Sequence, residues 1–519
     1  ITTGEIREHL RRVIPIPMIP TRFELVTKLP LTLSGKPDLA LLSQCPLSDN
    51  VAVCDDASEV LLIVRSIIGN PSLMPDDDLF DAGADSLSVV AISAAVLPCG
   101  YSFAPHVILR ERTVDRLLAL NDPGVDADVR SADWLRRDVE SLEFVPSTGQ
   151  QPLAVGVPQV TLLTGATGFL GVRVLREWLS AFTGQVACVI RATNDQEAVA
   201  RLKQTLSQQG IELTAEQWVR VRAMAGDISI ENFGWTRECW ETMAKLVDTV
   251  VHSAAEVHLF ATYEALRPAN VVGTANVLSF SLTHRLKRLH YVSTLSVFVG
   301  TDRNTGIVVE TDDLKQTKVV WGGYSQSTWA AEVLLQTADN VLPLNVYRLG
   351  LLTGDSESGY FPEQDQFTMT VRGLARIRCV PADADDLEVD VTPVDFAARA
   401  MVAIAQSQMD TRSDTTQRAT WHIANPQSLK AQLLFEVLAK LIPDIEQVSN
   451  EEFQRRVALH TGADEGIACL SLCRWLSSRG PQFRAGSLDL FLATGITFDM
   501  TRAQSVLSRV GIHCPPPET

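Results

Sequence analysis

The string TGATGFLG, residues 164–171, constrains the fold more than any other part of the chain. Gly165, Gly168 and Gly171 stand in GxxGxxG spacing. The apolar run 160–163 precedes them, and a stretch with Val172, Leu175 and Leu179 at helical spacing follows. A turn this tight between strand and helix lets the backbone approach a pyrophosphate, which then rests on the helix N-terminus where amides and dipole favour an anion. A bare glycine triplet would be weak evidence, but the strand–turn–helix context predicts a dinucleotide site. Downstream, the β-rich runs 186–190, 221–225, 249–252, 289–297 and 345–349 alternate with helical segments. That alternation predicts an α/β fold with a parallel sheet covered by helices on both faces.

The second strand selects the cofactor. An NAD site places an Asp or Glu about 20 residues past the glycines to hold the ribose hydroxyls. Arg191 occupies that place here. A guanidinium matches a 2′-phosphate, so NADPH is predicted, against the plain alternative of a solvated strand-end arginine. Asp227, after the third strand, could accept from the adenine amino group.

Composition removes other classes. The 519 residues are 46% apolar and 21% charged, with 62 acids against 45 bases and a net charge of −17. Without a Lys/Arg-rich run, no nucleic-acid partner is expected. Nine cysteines lie scattered without CxxC pairs, which predicts no metal site and fits a reducing cytoplasm. The longest apolar stretch, 89–98, falls far short of a membrane span. The opening ITTGEIREHL lacks a signal-peptide plan.

The region before the glycine loop is different in kind. Residues 51–121 read as a small four-helix bundle: Val60, Ile63, Val64, Ile67 and Ile68 share one face, and Thr113 caps a last short helix. Residues 122–155, with NDPGVDADV and VPSTGQQP, read as a linker around one polar amphipathic stretch. Within the bundle, LFDAGADSLSVV (79–90) places Asp85-Ser86-Leu87 at a helix start. Ser86 could serve there as an ordinary N-cap.

Three sets of motifs carry a family resemblance. The Asp-Ser-Leu string resembles the 4′-phosphopantetheine attachment site of peptidyl carrier proteins, with Ser86 as the modified residue. VSTLSV (292–297) and GGYSQSTWAAE (322–332) resemble the extended short-chain dehydrogenase/reductases. LPLTLSGKPDLALL (29–42) resembles the last motif of adenylation domains, with Lys36 at the acyl-adenylate position. The order resembles the C-terminal end of a nonribosomal peptide synthetase. It implies an adenylation remnant without activity (1–45), a peptidyl carrier (51–121), and a thioester reductase over 156–519. The reductase divides into an NADPH-binding Rossmann-like core, about 158–360, and a mixed substrate lobe, about 361–519. HSAAEVHLFATYEALRPANVVGT (252–274), VTPVDF (391–396) and GIHCPP (511–516) also match this family's look.

The resemblance implies roles. Thr294 would hold the substrate carbonyl and Tyr324 donate the proton. Cofactor contacts would come from Thr167, Phe169 and Leu170 in the glycine loop, and from Arg201, Ile228, Ala254, Asn270, Ser293 and Leu349. Partners would be an acyl or peptidyl thioester on the chain's own carrier, a phosphopantetheinyl transferase and upstream synthetase modules. One position departs: the lysine of Tyr-x-x-x-Lys is Thr328. That lysine lowers the tyrosine pKa and binds the nicotinamide ribose, and bringing a phenol from about 10 to about 7 takes roughly 4 kcal/mol. An engineered change, a natural domain with diminished reduction, and another cation such as nearby Lys318 all stay open. The expected activity is NADPH-dependent release of the thioester as an aldehyde, or onward to the alcohol. A redox-inert, Dieckmann-type release domain is the alternative; a free-standing nucleotide-sugar epimerase or dehydratase is disfavoured by the carrier segment.

Overall fold

The computed structural model describes residues 59–84, 86–96, 101, 103, 107–108, 111–120, 129–142, 156–257, 261–303, 305–363, 365–382, 388–409, 418–459, 470 and 496–517. The adenylation-like stretch 1–45, with Lys36, lies outside them. The chain forms two compact units: Ile1–Gly124 with Met369–Cys379 and Val448–Ser478, and Val125–Thr368 with Val380–Gln447 and Arg479–Thr519.

In the first unit, helices α1 (Glu59–Ile68), α2 (Ser86–Ala95) and α3 (Val114–Leu118) follow one another. Val60, Leu61, Val64 and Ile67 are buried on α1 at the spacing expected of one helical face. The Thr113 hydroxyl accepts from the Arg116 amide at 3.3 Å and caps α3. The turn that leads into α2 is held from inside. Asp78 Oδ1 accepts from the amides of Phe80 and Asp81 at 2.9 and 3.1 Å, and Asp78 pairs with Arg112 at 2.6 Å. Ser86 follows this turn as the first residue of α2.

The second unit opens with β1 (Val129–Ser131) and α4 (Ala132–Glu140). It then alternates: β2 (Val160–Thr164), α5 (Gly171–Ala181), β3 (Gln185–Ile190), α6 (Asp195–Gln208), β4 (Val221–Ala225), β5 (Thr249–His252), α7 (Gly273–Leu282) and β6 (Arg288–Thr294). After β7 (Val319–Trp321) come α8 (Gly323–Gln336), β8 (Leu344–Leu349), α9 (Val394–Met409) and β9 (Arg418–Ile423). The main sheet has seven parallel strands in the order β9-β8-β6-β5-β2-β3-β4. The chain reverses direction of growth between β3 and β5 on either side of β2. That reversal opens the crevice at the C-terminal strand ends where ligands of such sheets bind. The inner strands are buried on both faces, which explains their near-continuous apolar runs rather than alternation.

Two sequence boundaries shift. Part of the expected linker belongs to the second unit: β1 pairs antiparallel with β7, and α4 packs on α8 with Ala132, Leu135 and Val139 buried. The polar composition of 132–140 hid one apolar face. Ser131 caps α4, and Asp138 accepts from the Tyr263 hydroxyl at 2.6 Å and from Arg267 Nε at 2.7 Å. Nor is 361–519 a lobe apart from the sheet. β9 extends the sheet beside β8, and α9 packs against α5 under the glycine loop. The strand RATWHI is hard to read because its polar residues find partners on other elements: the Trp421 indole donates to Asn345 of β8 at 3.0 Å.

Candidate active site

The glycine loop bridges β2 and α5 as its spacing demands. Gly165 adopts φ +77°, and a Cβ there would stand 2.6 Å from the Ala254 amide nitrogen. A Cβ on Gly171 would collide with the Gly165 carbonyl. Gly168, by contrast, is exposed, Thr167 and Phe169 are half-buried, and Leu170 is buried. No side chain caps α5; the Val172 and Arg173 amides donate to the Gly168 and Leu170 carbonyls at 3.2 and 3.0 Å, and the positive end of the helix dipole favours an anion there. These features fit a dinucleotide pyrophosphate. Below the loop, Thr164 Oγ1 meets His252 Nδ1 at 2.7 Å and accepts from the Ala254 amide at 3.2 Å, tying β2 to β5. Burial pushes His252 down to about 3, so it stays neutral.

Arg191 lies exposed just past β3, and Arg201 on α6 donates to its carbonyl. The Arg201 guanidinium thus stands at the end of β3, beside the Arg191 main chain. Asp227 Oδ1 already accepts from the Ser229 amide and hydroxyl at 2.9 and 2.7 Å, which shapes the turn after β4. Ile228 is buried against Gly273.

At the far strand ends, Thr294 and Leu349 are register partners on β6 and β8, and the Leu295 amide donates to the Leu349 carbonyl at 2.9 Å. Thr294 Oγ1 accepts from the Ser296 amide at 3.1 Å. Tyr324 enters from the first turn of α8 and is hydrogen-bonded to Thr294. Burial pushes its phenol up to about 12, and the Thr294 bond pulls back only part of that. Thr328, buried one turn on, spends its hydroxyl on the carbonyls of Tyr324 at 2.9 Å and Ser325 at 3.2 Å. That is ordinary back-bonding within a helix, and it leaves no hydroxyl proton for a ligand. Lys318 is exposed beside β7, with its amide on Asp302, and does not replace the lysine.

Asn270 is buried in a π-helical turn, Pro268–Val272, a distortion common at functional sites. Its Nδ2 donates to the Ser327 hydroxyl and the Glu256 carbonyl, both at 3.0 Å, and its Oδ1 accepts from the Glu256 amide at 2.7 Å. Ser293 differs from the expectation of a cofactor contact through its side chain: the hydroxyl donates to Glu332 at 2.6 Å.

Glu332 and its partners escaped the sequence reading. Burial alone would raise its carboxyl. Arg348 and Arg418, at 2.8 and 3.0 Å, together with Ser293 hold it at about 2 instead. A carboxylate inside the apolar helical run WAAEVLL was the available signal. Arg173 also went unnoticed: two residues past the last glycine, it is wholly buried and paired with Asp355 at 2.7 Å. Among the described residues no His/Cys/Asp/Glu group could hold a metal, and no helix is long and apolar enough to cross a membrane.

Two family models match: the phosphopantetheine attachment site over residues 58–120 and the male sterility protein family of NAD-binding modules over 163–401. The chain is 30% identical over 449 residues to the isonitrile lipopeptide synthase of Streptomyces coeruleorubidus, covering 80% of this chain and 30% of that protein. Its fold superposes with a TM-score of 0.63 on the terminal R domain of the myxalamid biosynthetic pathway, at 26% identity, over 74% of this chain and 93% of that one. A reductase domain of a Mycobacterium tuberculosis nonribosomal peptide synthetase gives a TM-score of 0.58 at 25% identity, over 74% and 93%. The chain spans from 9% to 42% of the length of the curated relatives it matches. With a carrier model followed by a reductase-type NAD-binding model, on a fold similar to solved R domains, the chain is similar to the carrier–reductase segments of nonribosomal peptide synthetases.

Proposed function

We propose that the chain releases an acyl or peptidyl thioester, held on a 4′-phosphopantetheine arm at Ser86, as an aldehyde by NADPH-dependent reduction. The observation that carries this reading is the hydrogen-bonded hydroxyl pair Thr294–Tyr324, on the same C-terminal sheet edge as the glycine loop. Bound along that edge, NADPH would supply a hydride to the thioester carbon. Gly165, Thr167, Gly168, Phe169, Leu170 and Gly171 would hold its pyrophosphate, and Arg191 and Arg201 its 2′-phosphate. Asp227 and Ile228 would hold the adenine, and Ala254, Asn270 and Leu349 the remainder, with Ser293 contributing main chain only.

Thr294 donates to the thioester carbonyl and fixes its direction. Tyr324 donates to the same oxygen and passes its proton there as negative charge develops. The hemithioacetal so formed loses its C–S bond. Its hydroxyl proton leaves and the sulfur takes one up, freeing an aldehyde and the carrier thiol. The balance is thioester, NADPH and one proton to aldehyde, thiol and NADP⁺. A second round on the aldehyde gives the alcohol. The arm makes the encounter intramolecular, so effective concentration replaces tight substrate binding. A phosphopantetheinyl transferase and upstream synthetase modules supply the loaded carrier, in a cytosol that suits Cys188, Cys239 and Cys514, which form no disulfide.

The test is an acyl-loaded chain mixed with NADPH, followed by cofactor absorbance and mass spectrometry of the product. Loss of NADPH with release of an aldehyde is expected, and Ser86→Ala should lose both loading and release. A cyclised product released without NADPH oxidation would replace this reading with the redox-inert one.

A further inference from the structure

Arg173 points to a role beyond holding up the helix. Its guanidinium is fully buried and joins three separate pieces of chain. Nη1 donates to the Phe169 carbonyl of the glycine loop at 3.0 Å and also to Gln209 at the end of α6. Nε donates to Asp355 at 2.7 Å, in the loop that follows β8. Asp355 in turn accepts from the amides of Glu357 and Ser358 at 3.1 and 2.9 Å, so the loop is folded around the carboxylate. The rings follow the same plan. The guanidinium stands 5.0 Å from the Phe169 ring and 5.7 Å from that of Tyr360, and Phe361 stacks on Phe169 at 5.9 Å. One nitrogen, Nη2, is buried without a partner, an expense that packing alone does not reward.

We propose that Arg173 and Asp355 are positioning residues for NADPH: the pair locks the Phe169 segment of the glycine loop to the 355–361 loop, and cofactor affinity depends on that lock. The inference rests on the NADPH reading of the glycine loop. A pyrophosphate bound by main-chain amides is sensitive to small displacements of the loop, because fixed donors gain their strength from being already aligned. The lock acts through geometry, so removing either member weakens binding.

The experiment is a titration of NADPH fluorescence on the full chain, at a temperature well below the melting point of every variant. Arg173→Met should raise the NADPH Kd about tenfold, and Asp355→Ala about three- to tenfold, near the loss of one charge-assisted bond. Arg173→Lys keeps a donor for one anchor and should fall between wild type and Arg173→Met. Lower melting points with unchanged Kd in both single variants would make the pair structural only and overturn the proposal. Opposite signs, with Asp355→Ala binding more tightly, would mean that Arg173 acts by its charge and overturn it as well. Wild-type protein that binds no NADPH would instead sink the cofactor reading on which the proposal stands.

Discussion

The two ends of the site are not equally equipped. At the glycine loop, the features favour an anionic cofactor: a helix N-terminus without a side-chain cap, Gly165 and Gly171 packed too closely for any side chain, and two arginines at the next strand end. At the proton-donor end, Tyr324 has only Thr294 to favour its ionised form, and Thr328 bonds back into its own helix. The cations of the neighbourhood are spent elsewhere, with Arg348 and Arg418 on Glu332. The contrast teaches that cofactor binding and proton delivery are separable on this fold. Main-chain geometry and the arginines around it would carry the first. The second, on the proposed reading, would depend on one charge at the position where this chain has Thr328.

Tyr324→Phe should break the proton-donor end outright, lowering single-turnover reduction by about 10²- to 10⁴-fold, the usual range for a general acid. A smaller loss would mean that Thr294 or water already delivers the proton. Glu332→Ala tests whether the buried cluster beneath that end is structural. It leaves Arg348 and Arg418 unpaired and should cost about 3–5 kcal/mol in denaturant unfolding. The pH dependence has a definite sign. The folded carboxyl of Glu332 lies below its unfolded value of about 4.3, so its contribution is present above that pH and is lost as pH falls from there through about 2. Glu332→Gln should flatten that acid limb.

Arg191→Ala probes the cofactor end. NADPH affinity should fall roughly 10- to 150-fold, from about 1.5–3 kcal/mol of charge-assisted contact, and NADH affinity should fall less. Equal losses would show that Arg191 does not read the 2′-phosphate. Thr328→Lys is the smallest change and the sharpest test of the contrast. With Tyr324 at about 12, no alkaline fall from this group should appear until pH approaches that value. The lysine should speed single turnover at least about tenfold and bring the alkaline limb to lower pH. A wild-type rate already high and unimproved by lysine would erase the difference between the two ends.

What could be read in advance follows the range of the interactions. The glycine loop, the helix start at Ser86, the paired Thr294 and Tyr324 motifs and the vacancy at Thr328 are short strings, each with its own local requirement. The burial of α1 along one face and the cap at Thr113 were equally legible, because period and capping act within a few residues. Helix α4 and strand β9 were not. One buries a narrow apolar face behind polar neighbours, and the other is a strand whose polar residues find partners only across the sheet.

The amino-acid order by itself determined where a dinucleotide could bind, which serine opens the carrier helix, and which residue is absent beside Tyr324. Only the tertiary structure decided what those groups are free to do. It committed Ser293 to Glu332, turned Thr328 back onto its helix, left Lys318 exposed just ahead of β7, and joined Arg173 to a carboxylate 182 residues away. The reason is physical: a motif records which atoms are present, whereas a buried polar atom is assigned by competition among partners that the fold brings within hydrogen-bond reach.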